Sequence, residues 1–447
     1  MPYQPGGRLP GESASKLGHL PVVSSPWIKS LVESFEEAGV PDEDTSGTIW
    51  IEFDPANVKP LSKVWAVDGS FVPVRSEGQG RREVAFVKSA ILTVDRTKIA
   101  AIDQDMPHPL LLKNILRDSA IFHATVFPLK NVKTPLGNNY DAIRHIVYDS
   151  IRLDQDGYFF ETLKWLAYRK WSSNPTPSPS FQCPHCRNTK EIPGLPPDSD
   201  KGFCPYSNCG KEIFLTDMIG FHQEMNEDSA PESIASAYML VMEHLMILSA
   251  VRFNWEDTDK SLVSDTLYIK DGPLTLRGQY SKLVPPIREF LEFAKKQGRP
   301  IHVIGQEKTG SFYDHLSSIA RYAPPRQRGD ALCFAPLSHE YVHKEVYRTP
   351  NAANPYGLKT NWGEKVYVKT DPGHFMVLSI TTGNYNEAPN FPQSDNLIGL
   401  DRILATIPSL VSHKFEGALY PIELANGIAS MSSYPSAKIL QRMIEAR

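Results

Sequence analysis

The sequence has little of what marks secreted, membrane or strongly charged proteins. Five cysteines in 447 residues are too few for a disulfide framework. A balance of 47 basic and 51 acidic residues gives a net charge of -4, which excludes a histone-like polycation. The longest apolar run, 236–251, contains Glu243 and His244 and falls short of the roughly 20 residues of a membrane span. The N-terminal segment MPYQPGGRLPGESASK has no apolar core, so we expect no signal peptide, no membrane association and a cytoplasmic location.

What is present is typical of a globular protein of two or three units. Hydrophobic residues make up 41% and charged residues 22% of the chain, and the 37 prolines favour long connections. The stretch SSNPTPSPS at 172–180 is predicted to be a semi-rigid linker. We predict an N-terminal arm and helix over 1–60, and a main domain whose parts, 61–176 and 216–447, are separated by an insertion at 177–215.

The order of the predicted elements indicates an α/β (α+β) protein with a mixed sheet. Three strands come first, and helices and single strands then alternate. A ribonuclease H-like core has this order, as do other folds. The predicted strands are 63–67, 82–94, 98–102, 267–270, 300–305, 364–369 and 374–381, and the predicted helices are 26–39, 139–171, 230–250, 285–297, 311–322, 398–411, 420–430 and 436–446.

The cysteines carry the sharpest local signal. Cys183 and Cys186 form one close pair, and Cys204 and Cys209 form a second. Two short knuckles of this kind supply the four thiolates of a closed, tetrahedral zinc site, which is structural rather than catalytic. His185 could replace one ligand, and the alternative to a zinc ribbon is a redox pair or unrelated thiols.

Two predicted strands end in Asp-Gly, at Asp68 and at Asp271. A single Asp-Gly after a strand is usually only a turn. If both strands lie side by side, however, their carboxylates come together and resist joint ionisation unless a cation lies between them. Paired carboxylates around manganese or magnesium are the arrangement that phosphodiester hydrolysis uses. Asp68 and Asp271 are therefore candidate ligands of a catalytic metal.

Glu243 is a third candidate ligand because it lies in an apolar helix, where a buried carboxylate needs a partner. The alternative is that Glu243 and His244 occupy a narrow solvated face. Glu232 is another carboxylate, which we place in the first turn of the helix, where the helix dipole favours it.

Basic residues near these motifs could contact phosphate. Lys308 follows a strand and precedes a helix, so it is either a phosphate contact or a solvated loop lysine. Four further cations flank the first Asp-Gly and could follow a DNA backbone, although surface hairpins commonly carry such charges: Arg75, Arg81, Arg82 and Lys88.

In their order along residues 61–447, these motifs resemble the NurA nuclease family. AVDGS at 66–70 and YIKDGPL at 268–274 match the family's two Asp-Gly strands. VIGQEKTGS at 303–311 resembles its strand-to-helix segment with a lysine, and YPIELANGIA at 420–429 resembles its late helix. Asn426 stands where the family usually has a histidine beside the metal, and the cysteine segment is not a general family feature.

The resemblance implies a ribonuclease H-like core with an inserted zinc ribbon and extra helices. It implies a manganese-dependent nuclease, with 5′-to-3′ exonuclease and single-strand endonuclease activity on DNA. Asp68, Glu243 and Asp271 would hold manganese or magnesium, with Lys308 near the phosphate and Asn426 at the edge of the site. It further implies a homodimer that acts with a hexameric HerA-type ATPase in DNA-end processing or anti-phage defence. The sequence contains no P-loop, so an ATP-driven step requires another chain.

Two other functions fit the same residues. A non-catalytic DNA-binding or scaffold subunit would keep the fold and use the ribbon for recognition; Asn426 favours this reading because asparagine cannot shuttle a proton. The intact Asp68 and Asp271 favour the nuclease. A ribonuclease H-like enzyme that acts on RNA is the third possibility, and the residues do not separate it from a DNA enzyme.

Overall fold

The computed structural model describes residues 25–34, 49–77, 81–96, 120–186, 190–225, 232–324, 332–349, 352–371, 374–412, 417–431 and 436–445. The chain divides into two compact units, Met1–Asp42 and Glu43–Arg447. In the first unit, helix α1 spans Pro26–Glu33 and begins at Ser25, whose Oγ accepts a hydrogen bond from the Ile28 amide at 3.4 Å. The C-terminal part of the predicted helix, 35–39, lies outside the described residues.

The second unit is built on a nine-stranded mixed sheet, as the sequence predicts for an α/β protein. The strand order is β1-β9-β10-β11-β8-β7-β2-β3-β4, and β5 pairs with β6 in a separate ribbon. The β2–β7 and β7–β8 pairs are parallel and the other pairs are antiparallel. The strands are β1 (Ile51–Phe53), β2 (Lys63–Arg75), β3 (Glu83–Asp95), β4 (Ala120–Lys130), β5 (Lys201–Phe203), β6 (Glu212–Phe214), β7 (Thr266–Asp271), β8 (His302–Glu307), β9 (Leu332–Pro336), β10 (Gly363–Asp371) and β11 (His374–Thr381).

Helices cover both faces of this sheet. One face packs against α2 to α5, and its β9–β11 end packs against α6; the other face packs against α7 and α8. The helices are α2 (Asn139–Leu153), α3 (Tyr158–Ala167), α4 (Ser233–Glu256), α5 (Val284–Lys296), α6 (Ser311–Ile319), α7 (Leu400–Thr406), α8 (Tyr420–Ala429) and α9 (Ser436–Glu445).

Helix α4 is the central helix of the first face. It is apolar on all sides, as expected for a helix that is buried throughout. By length and composition alone it could cross a membrane, but 83% of its most apolar window is buried inside the protein. Within the described residues α4 is therefore a core helix of a globular unit.

The structure departs from the predicted strands at several points. Strand β2 does not end at Asp68 but continues to Arg75, because β3 pairs with it along its whole length. The predicted strand 98–102 lies outside the described residues, and β3 pairs instead with β4, which the sequence did not predict. The short edge strand β1 and its neighbour β9 were also missed.

The cysteine ribbon packs into the main core. Phe181, Ile192 and Ile213 are buried in the same cluster as the apolar faces of α2 to α5. A buried, two-pronged ion pair fixes the segment that follows the ribbon, with Arg144 Nε and Nη2 donating to the Asp217 carboxylate at 2.9 and 2.8 Å. Asp217 also accepts from the Phe214 amide at 2.8 Å, so one carboxylate joins α2 to the end of the ribbon.

Arg144→Ala is expected to lower the free energy of unfolding by about 3–5 kcal/mol, because it leaves the Asp217 carboxylate buried without its cation. Arg152→Ala is the matched control: Arg152 lies on the same helix, and its ion pair with Asp149 is exposed, so the expected loss is below about 1 kcal/mol. Urea unfolding measures both values. Equal losses in the two variants would contradict the structural role of the Arg144–Asp217 pair.

Candidate active site

The parallel pairing of β2 and β7 places the two candidate aspartates at one level of the sheet. The last residues of this pairing are Val67 on β2 and Lys270 on β7. Asp68 and Asp271 come next on their strands, and beyond them the two strands are no longer paired with each other. The carboxylates therefore lie where the parallel pairing ends, although β2 itself continues.

Both aspartates face the side of the sheet that α7 and α8 cover. Side chains alternate along a strand, so Asp68 shares a face with Ala66, and Asp271 shares a face with Ile269. Ala66 and Ile269 are buried in the hydrophobic cluster beneath α7 and α8. The two carboxylates thus lie on the same face as this apolar layer, at its edge.

Asp68 is the buried member of the pair, with 5% of the residue exposed. Burial raises the pKa of its carboxyl group from 3.8 to about 7, and the negative charges of Asp271 and Glu243 add to the rise. The Gly69 amide, which donates to Asp68 Oδ1 at 2.7 Å, and the Lys308 ammonium act in the opposite direction. These two groups do not offset the cost of burying a negative charge at Asp68, since its pKa remains raised.

Lys308 joins the site through Asp271. Its Nζ lies 2.8 Å from Asp271 Oδ1, and about a third of each side chain (33%) is exposed. The lysine follows β8 and precedes α6, as predicted, and it is an ion-pair partner of a candidate ligand rather than a free loop lysine. Because both groups reach solvent, a phosphate could approach them.

Glu243 approaches from the opposite face of the sheet. It lies on α4, and its carboxylate forms an ion pair with Lys270 Nζ at 2.9 Å, with both side chains almost completely buried. Gly69 permits the close approach, since a Cβ at this position would lie 2.6 Å from Glu243 Oε1. Burial raises the pKa of Glu243, and the Lys270 ammonium opposes that rise. Glu232, the alternative carboxylate, is the exposed N-cap residue of α4.

Asn426 is exposed on α8. This helix packs on β2 through Ile422 and Ala425, on the face that carries the two aspartates. Glu243, Asp271 and Lys308 each interact electrostatically with Asp68. Asn426 is related to the carboxylates only because its helix covers the same face of the sheet.

Two residues that the sequence did not single out hold this arrangement together. Lys270, on β7, is the counterion of Glu243. Gln306, on β8, lies beside Asp271 in the strand register, and its side-chain amide donates to the Gly417 carbonyl and accepts from the Leu419 amide at 3.1 Å. Gln306 thus fixes the backbone just before α8. A lysine or glutamine inside an apolar strand is the only signal for either role.

Two of the four flanking cations, Arg75 and Lys88, have partners within the protein. Arg75 Nη2 lies 2.9 Å from Glu83 Oε2, and Lys88 Nζ donates to the carbonyl of Ile428 at 2.6 Å. The Lys88 ammonium also lies 5.1 Å from the centre of the Phe122 ring. Lys88 therefore satisfies a carbonyl near the C-terminal end of α8, where a cation is favourable.

The four cysteines form a second site. Their Sγ atoms all lie within 4.8 Å of one another, and they are the one group of three or more His, Cys, Asp or Glu ligand atoms at this spacing in the described part of the chain. The Cys183–Cys209 and Cys186–Cys204 Sγ pairs are each 3.9 Å apart. The four thiols are thus positioned to hold a metal ion.

The surroundings of the cysteines indicate a thiolate cluster. Gly210 has φ +57°, the left-handed conformation that the second knuckle requires. Burial raises the pKa of Cys183 to about 12, and a bound cation would offset that rise. His185, whose Nε2 lies 2.9 Å from the Glu212 carbonyl oxygen, does not belong to the group of four ligand atoms that the cysteines form.

Neither a scan against protein-family models nor a search of curated proteins returns a match for this chain.

Asp68→Asn is expected to stabilise the protein above pH 7 in buffer without manganese or magnesium. The native state binds a proton at Asp68 more tightly than the unfolded chain between pH 3.8 and about 7, so the wild type loses stability as the pH rises through this window. Removing the ionisable group removes that loss, by roughly 1 to 4 kcal/mol at about 1.4 kcal/mol per pKa unit. Urea unfolding at pH 8 and pH 4 measures the difference.

Asp401→Asn is the matched control, because Asp401 is exposed in the first turn of α7. Its expected effect is below about 1 kcal/mol at either pH. If Asp68→Asn were no more stable than wild type at pH 8, the carboxylate would not carry the unbalanced charge assigned to it.

Proposed function

We propose that the chain is a metal-dependent phosphodiester hydrolase that cleaves DNA. The observation that carries this proposal is the pair of carboxylates at one level of β2 and β7, with Glu243 behind them and Lys308 at the solvent side. Asp68 is held in a buried position where its charge is unbalanced, which is a costly arrangement for a purely structural role.

The topology around the pair supports a ribonuclease H-like core. Five neighbouring strands follow the order β4-β3-β2-β7-β8, and β3 alone runs antiparallel to the others. The two aspartates lie on the central strand and its parallel neighbour, and α4, which carries Glu243, lies between β4 and β7 in the chain. This is the placement that the sequence resemblance implies for a carboxylate site.

The donor set fits manganese or magnesium. Carboxylate oxygens are hard ligands that suit these ions. The raised pKa of Asp68 supports the assignment, because a bound cation would offset the cost of its buried charge. A divalent ion held by Asp68 and Asp271 would polarise a phosphoryl oxygen and lower the pKa of water. Glu243 would share in holding the ion only if its carboxylate turned from Lys270.

The chain's own groups have separate tasks in this account. Asp68 and Asp271 fix the position of the cation, and Gln306 fixes the backbone before α8. Lys308 neutralises Asp271 in the resting protein and is exposed enough to contact a phosphate oxygen of the substrate. Asn426 can accept or donate a hydrogen bond at the edge of the site but cannot move a proton.

The finer parts of the proposal rest on the resemblance to NurA nucleases. These are the preference for manganese, the 5′-to-3′ exonuclease and single-strand endonuclease activities, the homodimer, the hexameric HerA-type ATPase partner and the cytoplasmic role in DNA-end processing or phage defence. The chain supplies no P-loop, which is consistent with a motor on a separate partner.

A non-catalytic DNA-binding or scaffold subunit is the second candidate. Two observations favour it: Lys270 already neutralises Glu243, and an exposed asparagine replaces the family's histidine. In this role the cysteine ribbon and the β2–β3 hairpin, with its arginines and Lys88, would contact DNA without cleaving it.

Asp68→Asn and Asp271→Asn are each expected to reduce manganese-dependent cleavage of labelled linear DNA by at least about two orders of magnitude. The reason is that each variant keeps the shape of the side chain but loses a charged ligand worth several kcal/mol of charge stabilisation. Asp401→Asn serves as the control for a carboxylate outside the site. Cleavage is measured with and without the ATPase partner.

Two results would contradict the nuclease proposal and favour the scaffold subunit. One is wild-type protein that fails to cleave under both conditions, and the other is Asp68→Asn protein that cleaves as well as wild type.

We further propose that the metal at the four cysteines is structural zinc. Four thiolates in two knuckles form a closed tetrahedral set that leaves no position for substrate. Cys183 and Cys204 also belong to the main hydrophobic cluster, so the ion would join the ribbon to the core.

Cys186→Ser is expected to remove one equivalent of zinc per chain from protein purified without chelators, and to lower the thermal stability of the main unit. Cys333→Ala is the matched control, since Cys333 is a buried thiol on β9 outside the cluster. Elemental analysis gives the zinc content and thermal denaturation the stability. Equal zinc contents in wild type and Cys186→Ser would contradict the assignment.

A further inference from the structure

Two histidines with the sequence spacing of metal ligands lie after β9, in the segment His339-Glu340-Tyr341-Val342-His343. Ser338 starts a short helical turn here, its Oγ accepting from the Tyr341 amide at 3.2 Å, and the chain continues into a π-helical turn at Val342–Val346. Histidines four residues apart lie on one face of a helix. Their spacing, with glutamate after the first, is the one by which zinc hydrolases hold their metal.

Both imidazoles are oriented in the way that metal-binding histidines usually are. His339 Nε2 lies 3.0 Å from the Asn386 carbonyl oxygen, and His343 Nε2 lies 3.0 Å from the Asn354 carbonyl oxygen. A carbonyl oxygen only accepts hydrogen bonds, so each Nε2 carries the proton and the lone pair of each neutral ring is on Nδ1. Donation of the second ring N–H to a backbone carbonyl is the common support of a metal-ligating histidine.

The Nδ1 atoms of His339 and His343 make no hydrogen bond within the described residues. Both atoms are buried. The His339 ring packs against Tyr385 and Phe391, with ring centres 5.2 and 5.4 Å away, and these two rings also contact each other at 5.7 Å.

The two histidines line one cleft of about 460 Å³, whose walls also carry two exposed carboxylates, Glu340 and Glu387. No three ligand atoms of these four residues lie within 4.8 Å of one another in the structure, so a third ligand requires that one of the exposed glutamate side chains rotates towards the imidazoles. The cation on the same wall, Lys344, is engaged with Glu345 at 3.4 Å. The cleft follows β9, which β10, β11 and β8 separate from β7 in the sheet, so its ligand set is distinct from the aspartate pair.

We propose that His339 and His343 bind a divalent transition-metal ion of the zinc class in this cleft, with Glu387 or Glu340 as a third ligand. Two imidazoles and one carboxylate form a known zinc ligand set that leaves a position open to the cleft. Nitrogen donors select zinc, cobalt or nickel over the magnesium or manganese that suit the aspartate site. This proposal is independent of the nuclease assignment.

Cobalt(II) is the probe that distinguishes the four-cysteine site from the proposed site at His339 and His343. Cobalt(II) is titrated into protein that already carries zinc at the cysteines. Binding at the cleft gives visible ligand-field absorption without the thiolate charge-transfer band that cobalt bound to cysteine produces. We expect one equivalent to bind in this way, and binding to be at least about tenfold weaker in His343→Gln and in the Glu340→Gln/Glu387→Gln double variant.

His374→Gln, on β11 outside the cleft, is the matched control and should bind cobalt as the wild type does. The double glutamate variant changes only exposed side chains, so it tests the site even if His343→Gln fails to fold. Absorption with the thiolate band alone would overturn the proposal, because cobalt would then be at the cysteines. Unchanged affinity in both the histidine and the glutamate variants would also overturn it.

Discussion

The parallel register between β2 and β7 is the constraint on which the candidate active site depends. It brings two carboxylates to one level and leaves them on the same face, at the end of an apolar layer. Burial of the Asp68 carboxylate, to which the negative charge of Asp271 adds, raises its pKa to about 7. A protein that keeps such a pair loses stability near neutral pH, and a bound divalent cation is the simplest way to recover it.

The opposite face of the same strands carries a compensating set of buried cations. Lys270 pairs with Glu243, and across the sheet the residues in register with Lys270 are Gly305, Ser379 and Lys365. Lys365 contacts the carboxylate of Glu307 and donates to Ser379 Oγ at 3.2 Å. Such buried pairs add little net stability, but removing one partner leaves an uncompensated charge. They therefore fix the strand positions that hold the aspartates.

The sequence predicted the features that depend on local pattern. The α/β order, the bounds of β7, β8, β10 and β11 to within three residues, and the gathering of the four cysteines are confirmed, because periodicity and ligand spacing are written in neighbouring residues. The end of β2 was wrong: Asp68-Gly69 has the composition of a turn, but pairing with β3 over thirteen residues keeps it in the strand. Strand β4 was missed since its pairing is set by the tertiary fold. Nor could the sequence show that Lys270 is the counterion of Glu243, or that the Nδ1 atoms of His339 and His343 have no hydrogen-bond partner in the described part of the chain.

Anomalous diffraction from crystals soaked in manganese chloride tests the central claim most directly. The account predicts a manganese peak in contact with the carboxylates of both Asp68 and Asp271, with the Lys308 ammonium displaced from Asp271 or close beside the ion. A peak at Glu243 as well would show that this carboxylate leaves Lys270 when the cation arrives. The absence of manganese at the two aspartates, with the ion bound elsewhere or not at all, would contradict the account.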